Sequence, residues 1–149
     1  MPGRGADDRL AAMSGEITRV NPAELHPTPG YHHVTVVEAG RTAYLAGQVP
    51  LDAAGELVGP GDLAAQADQV AANALTALGA VGARPDQVVR SVIYVVSDED
   101  TSLGAVWRRL NGSVIGPAFT TASTLLGVSR LGFAGQLVEV DLTAALDQG

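Results

Sequence analysis

The chain contains no cysteine and no lysine. Without cysteine there can be no disulfide, no thiolate nucleophile and no Cys-based zinc site. Without lysine, all nine cations are arginine, a bias of the kind a GC-rich coding sequence produces. Aromatic residues make up only 4% of the chain, so alanine, valine and leucine must build the core. Positive charge is also scarce. The formal net charge is −7, which argues against a nucleic-acid partner, since binding a phosphate backbone rests on clustered cations. No apolar run reaches the ~18 residues a membrane span needs. The N-terminus lacks the apolar stretch of a signal peptide, so a cytoplasmic location is expected.

What is present fits one globular domain. The chain has 149 residues, 46% of them hydrophobic and 17% charged, enough to bury roughly 70% of its unfolded surface around one core. Gly, Pro and charge dominate residues 1–15, which read as a flexible lead before a single domain over 16–149.

The domain alternates strands and helices. A first strand covers 17–20, and the proline-rich NPAELHPTPG (21–30) is a loop. HHVTVVEAG and RTAYLAG read as a hairpin turning at Ala39-Gly40. Asp62 is placed to cap a helix whose buried face runs Leu63, Ala67, Val70, Ala74, Leu78 and Val81, with Gln66, Gln69 and Asn73 elsewhere on it. Gly79 and Gly82 stop it, and Pro85 prevents its resumption. The β-branched QVVRSVIYVVS (87–97) is a long central strand. A second helix over about 102–113 follows, capped from Asp98, Asp100, Thr101 and Ser102, with Leu103, Val106, Trp107 and Leu110 inward. The last two strands are STLLGVSRL and QLVEVDLTAAL. This order predicts a compact α/β or α+β domain with two helices on one face of a mixed sheet. The strands carry apolar residues on both sides, so the other face calls for a partner, and an oligomer is the natural solution.

The last strand alternates. Val138, Val140 and Leu142 point one way; Leu137, Glu139, Asp141 and Thr143 point the other. Glu139 and Asp141 therefore face away from the helices. Either they are solvated, or Glu139 lies in an interface cleft and positions a water.

GQVPLD (47–52), VVRSVIYVVSDED (88–100) and ASTLLGV with LVEVDLTA (122–144), in this order, resemble the reactive intermediate deaminase family, also called YjgF-like. The resemblance runs from about Ile17 to Leu146. It implies an α+β, chorismate-mutase-like fold with a six-stranded sheet and two helices on one face. It further implies a homotrimer whose sheets form a central barrel, with small-molecule clefts between subunits; no cofactor and no metal are expected. In deaminating members a Pro-Ala-Arg-Ser/Thr motif supplies an arginine that clamps a substrate carboxylate, and a downstream glutamate helps water attack an imine carbon. The matching residues here are Thr121, Ala122, Ser123 and Thr124, so the arginine position holds Ser123, while Glu139 matches the glutamate. Gly47 and Gln48 match a Ser-Gly-Gln segment whose serine is Ala46 here, and either Tyr31 or His33 matches a ligand-contacting aromatic.

Arginine offers two parallel charged hydrogen bonds, whereas serine offers one neutral donor. Losing a charged hydrogen bond costs ~1.5–3 kcal/mol, or about 10–150-fold in affinity. Arg41 and Arg130 are the candidate replacements. Ser123 lacks a Gly-x-Ser-x-Gly elbow, so it is read as a hydrogen-bond donor to ligand or as filler of the arginine's space. HPTPGYHH crowds three histidines, but adjacent His32 and His33 point to opposite faces if extended, which spoils a shared metal site. Trp107 has the spacing of a core residue.

Two functions compete. One is hydrolysis of an imine or enamine to a ketone and ammonia, using Glu139 and water. The other is a non-deaminating small-molecule binder or a specialised pathway enzyme, suited by the neutral Ser123. Ribonuclease activity, attached to some relatives, fits the acidic, lysine-free composition least.

Overall fold

The computed structural model describes residues 16–147. The expected lead (1–15) and the last two residues lie outside this range. The elements run β1 (Ile17–Val20), β2 (Val34–Val37), β3 (Arg41–Tyr44), α1 (Leu63–Ala80), β4 (Val88–Val96), α2 (Asp100–Asn111), β5 (Ala122–Val128) and β6 (Val138–Leu146). Short 3₁₀ turns at Pro85–Gln87 and Gly116–Phe119 lead into β4 and toward β5. The fold is α+β. Among the described residues no helix is long and apolar enough to cross a membrane.

The strands do not form one six-stranded sheet within the chain. Four make a mixed sheet in the order β3-β6-β4-β5, with β4 and β5 parallel, and β1 and β2 make a separate antiparallel ribbon. The expected hairpin at Ala39-Gly40 does not form: β2 pairs with β1, and β3 pairs with β6. The physical reason lies in the turn. Two-residue hairpin loops need φ above zero, and neither Ala39 nor Gly40 has it. The ribbon is tied back by the Arg19 guanidinium, which donates to the carbonyls of Asp86 and Val88, each at 3.0 Å.

Period-two alternation builds the sheet's inner face. Ser91, Ile93 and Val95 of β4 and Val138, Val140 and Leu142 of β6 are fully buried under the helices. From α1, Ala67, Val70, Ala74 and Leu78 meet them with 0% exposure, and small residues let the helix lie close to the strands. Asp62 caps α1, its carboxylate accepting from the Ala65 amide at 3.0 Å.

Four local expectations change. Gln66, placed off the buried face, is fully buried. It donates to the carbonyls of Gly59 and Gly135 and accepts from the Leu137 amide at 2.7 Å, which satisfies an amide that would otherwise be costly to bury. Val81 is 47% exposed and lies past the helix end. Gly79 remains helical, and the chain turns at Gly82, whose φ of +75° suits glycine. The second helix starts at Asp100 rather than Ser102. Its N-cap, Glu99, makes no side-chain cap bond; Ser97 Oγ accepts from the Glu99 amide instead.

Candidate functional site

The hydroxyl-rich entry to β5 is mostly an anchorage. Thr121 donates to the Val89 carbonyl at 2.8 Å and is hydrogen bonded to Thr35 of β2. The Ala122 amide donates to Thr35 Oγ1 at 3.1 Å. His32 donates its amide to the Thr121 carbonyl at 3.2 Å and its Nδ1 to the Thr120 carbonyl. These bonds pin the loop before β2 across the start of β5 and carry Tyr31 to the side of Ser123.

There, Pro29, Tyr31, Gly104, Trp107, Ser123 and Leu125 line a pocket of about 140 Å³ beside the edge strand β5. Its aromatic walls are braced from behind. Trp107 meets Tyr31 edge-on at 6.3 Å and Phe119 at 6.1 Å. Tyr31 is hydrogen bonded through its hydroxyl to His26 Nε2 at 3.1 Å, and His33 packs edge-on against the Tyr31 ring at 5.9 Å. His33 donates from Nε2 to the His26 carbonyl at 2.8 Å. Of the two candidate aromatics, Tyr31 lines the pocket and His33 supports it from outside. Trp107, expected in the core, does both jobs: it packs against the core cluster and forms a pocket wall.

Ser123 reaches the pocket with its hydroxyl already engaged. It accepts from Ser91 Oγ at 2.6 Å and donates to the Thr121 carbonyl at 3.0 Å or the Phe119 carbonyl at 3.3 Å. None of these partners is a base of the kind that activates a serine nucleophile. Thr124 turns the other way and accepts from Arg90 Nη2 at 2.9 Å on the outer face of the sheet.

Glu139 also occupies that outer face. It pairs in register with Tyr94, whereas Ser123 pairs with Ser91. Ser91 points under the helices and Tyr94 away from them. Three residues along a strand and two strands across put Ser123 and Glu139 roughly 14 Å apart within one chain, on opposite faces. The predicted site residues other than Thr124 thus fall into two groups. One is the Ser123–Tyr31 pocket. The other is Glu139 with Gly47 and Gln48.

The second group is tightly fitted. Glu139 Oε1 accepts from Gln136 Nε2 at 3.0 Å, and Gln136, only 3% exposed, also donates to the Val138 carbonyl and accepts from the Phe133 amide. Glu139 Oε2 lies against Gly47, where a Cβ would approach it to 2.1 Å. The Gln48 amide donates to the Val140 carbonyl at 2.7 Å, and Asn73 of α1 donates to the carbonyls of Val49 and Leu51. Glycine at 47 therefore serves close approach rather than a special φ. The partly buried Glu139 carboxylate is thus held by a hydrogen bond on Oε1 and packed against Gly47 through Oε2.

Among the described residues no arginine lines the pocket. Arg41 is exposed on β3, the far edge of the sheet, and Arg130 is exposed beyond β5. Arg108, one turn after Gly104, brings its guanidinium over the space a side chain at 104 would fill. Away from both groups, Arg109 and Asp68 join the helices at 2.6 Å; this bond holds the Asp68 carboxyl below its ordinary range and raises the Arg109 guanidinium. Among the described residues no three His, Cys, Asp or Glu side chains gather as metal ligands. Gln136 and Gly104 were missed from sequence; a glycine inside a helical pattern was the available signal for the second.

The family model described as Endoribonuclease L-PSP matches residues 22–146. Among solved structures, YyfB of Yersinia pestis, a protein of the Rid family, is 36% identical, with 87% of this chain and 98% of that chain covered and a TM-score of 0.78. Rv2704 of Mycobacterium tuberculosis, of the YjgF/YER057c/UK114 family, is 25% identical over 88% of this chain and 100% of that chain, at a TM-score of 0.54. The yeast protein YEO7 shares the fold at 22% identity and a TM-score of 0.62, covering 87% of this chain and 98% of that chain. No curated protein matches this chain.

Proposed function

Because the chain belongs to the Endoribonuclease L-PSP family, which includes the Rid/YjgF-like proteins, we propose that it hydrolyses a small imine or enamine in clefts shared between identical subunits. The observation that carries this reading is the separation of the two half-sites. One chain holds the apolar pocket at the edge strand β5 on its helix side, and holds Glu139 on the opposite face. A small molecule cannot touch both halves of one chain, but it touches both where the pocket of one copy meets Glu139 of the next. The surface supports such an assembly. Among the described residues no strand pairs with the outer edge of β5, Leu126 is 40% exposed and Tyr44 on β3 is 82% exposed. A homotrimer closing its sheets into a barrel satisfies these surfaces together.

In the reaction, the Glu139 carboxylate takes a proton from water as the oxygen adds to the imine carbon. The imine nitrogen takes up a proton from solvent to give the carbinolamine; Glu139 then passes its proton to that nitrogen, the C–N bond breaks to release ammonia, and the hydroxyl proton goes to solvent as the C=O bond forms. An enamine first takes a proton on carbon to give the imine. Gln136 and Gly47 keep the carboxylate in place; Ser123 shapes the pocket and is no nucleophile.

Ammonia release from freshly generated 2-aminoacrylate and from the uncharged imine of acetophenone tests this reading. Wild type should accelerate at least one of them, and Glu139→Gln should lose about 10²–10⁴-fold, the worth of a general base. No acceleration of either, or full activity in Glu139→Gln, would leave the protein a binder and sink the proposal. The acidic balance and the absence of lysine favour no phosphate-backbone substrate.

A further inference from the structure

Gly104 sits in the interior of α2, where glycine costs about 1 kcal/mol relative to alanine. Neither usual reason for a glycine applies. Its φ is not positive, and an added Cβ would meet only the mobile end of Arg108, at 3.2 Å from Nη1. Its bare backbone instead forms part of the pocket wall beside Trp107, Tyr31 and Leu125, and the Arg108 guanidinium borders the space a side chain would take.

From this we infer that the pocket is a specificity site for a flat six-membered ring, and that Gly104 is the residue that admits it. The volume, about 140 Å³, is close to that of an apolar cavity known to accept one benzene molecule (about 150 Å³). Trp107 and Tyr31 stand at 86° to one another, so a ring lying along one meets the edge of the other, the two favoured aromatic geometries. Phe119, His26 and His33 brace these walls, so little order has to be gained on binding. Among the described residues no carboxylate or guanidinium lines the pocket, the Arg108 guanidinium lying just outside it beyond Gly104, and the Ser123 hydroxyl is turned to Ser91 and the Thr121 carbonyl. The inference rests on the reading above in one respect: the ring is the side chain of the imine or enamine that reaches Glu139.

Trp107 is the only tryptophan in the chain, so its fluorescence reports the pocket directly. Titration with phenol should change that emission saturably, and glycerol, which has no ring, should not change it. Gly104→Leu, which fills the space, should weaken phenol binding at least about tenfold while the thermal unfolding transition stays cooperative. If Gly104→Leu does not fold, Gly104→Ala serves: it should raise Tm through helix propensity and still weaken phenol. A flat phenol titration, or phenol binding equally in wild type and the variant, overturns the inference. This readout is separate from catalysis. Phenol binding without Glu139-dependent hydrolysis would keep the ring site and discard the reaction. Glu139-dependent hydrolysis of 2-aminoacrylate without phenol binding would do the reverse.

Discussion

Gly47→Ala is the sharpest perturbation of the Glu139 group. The new methyl would stand 2.1 Å from Glu139 Oε2 and 2.8 Å from its carboxyl carbon, and ordinary contact begins near 3.4 Å. The carboxylate must therefore retreat by more than 1 Å. That movement strains or breaks its 3.0 Å bond from Gln136, a charge-assisted hydrogen bond worth about 1.5–3 kcal/mol. Because Glu139 is only partly buried, water recovers part of this, and unfolding should shift by no more than about 1 kcal/mol. Activity should suffer much more, since a misplacement of about 1 Å can cost about 100-fold. The assay is imine hydrolysis by wild type, Gly47→Ala, Glu139→Gln and the double variant. If Gly47 acts through Glu139, the double variant is no slower than Glu139→Gln alone, and the cycle shows strong coupling. Additive losses, or an unimpaired Gly47→Ala, would refute the reasoning.

Other substitutions test the remaining parts. Ser123→Ala leaves the fully buried Ser91 hydroxyl without its acceptor, so it should destabilise the fold by about 1–3 kcal/mol while hydrolysis of an uncharged imine falls by less than about tenfold, far from the loss of a nucleophile; denaturant unfolding and kinetics separate the two. Ser123→Arg brings a guanidinium to the pocket and should tighten 2-aminoacrylate by about 10-fold or more in KM while weakening phenol, the exchange of ring space for a charged anchor. For Asp68, held low by Arg109, the folded carboxyl has the lower pKa. Its stabilisation is thus complete above about pH 3.9, the ordinary value, and is lost as pH falls through the folded value. The stability gap between wild type and Asp68→Asn, measured by denaturant unfolding, should be small at neutral pH for so exposed a pair and should close in acid.

Much of the scaffold was legible because its periodicities are strong. The alternation of β6 placed Val138, Val140 and Leu142 under the helices and Glu139 away from them, and the structure has them so. The β-branched run of β4 and the Asp62 cap of α1 were equally direct. What failed were choices between competing partners. Nothing in the residues of β2 and β3 says that each will prefer β1 and β6 to the other; only the missing positive φ at Ala39-Gly40 betrays it. Gln66 reads as polar surface until the carbonyls it serves are in place. At the site, the same alternation that placed Glu139 also sends Ser123 and Thr124 to opposite faces, although the motif treats them as neighbours. Trp107 obeyed its helical spacing, but spacing could not show that Gly104, one turn earlier, leaves its ring uncovered on one side.

The central claim is that each cleft joins the pocket of one chain to Glu139 of another. Mixed oligomers measure this directly. Glu139→Gln chains keep an intact pocket, and Gly104→Leu chains keep an intact carboxylate, so each homo-oligomer should be strongly impaired toward the imine of acetophenone at concentrations below KM. Assembled together in equal amounts, they should recover about a quarter of wild-type imine hydrolysis, because a random quarter of the clefts then draw both intact halves from different chains. If the mixture stays as inactive as its parents although the subunits have exchanged, the pocket and Glu139 do not meet across an interface, and the account is wrong.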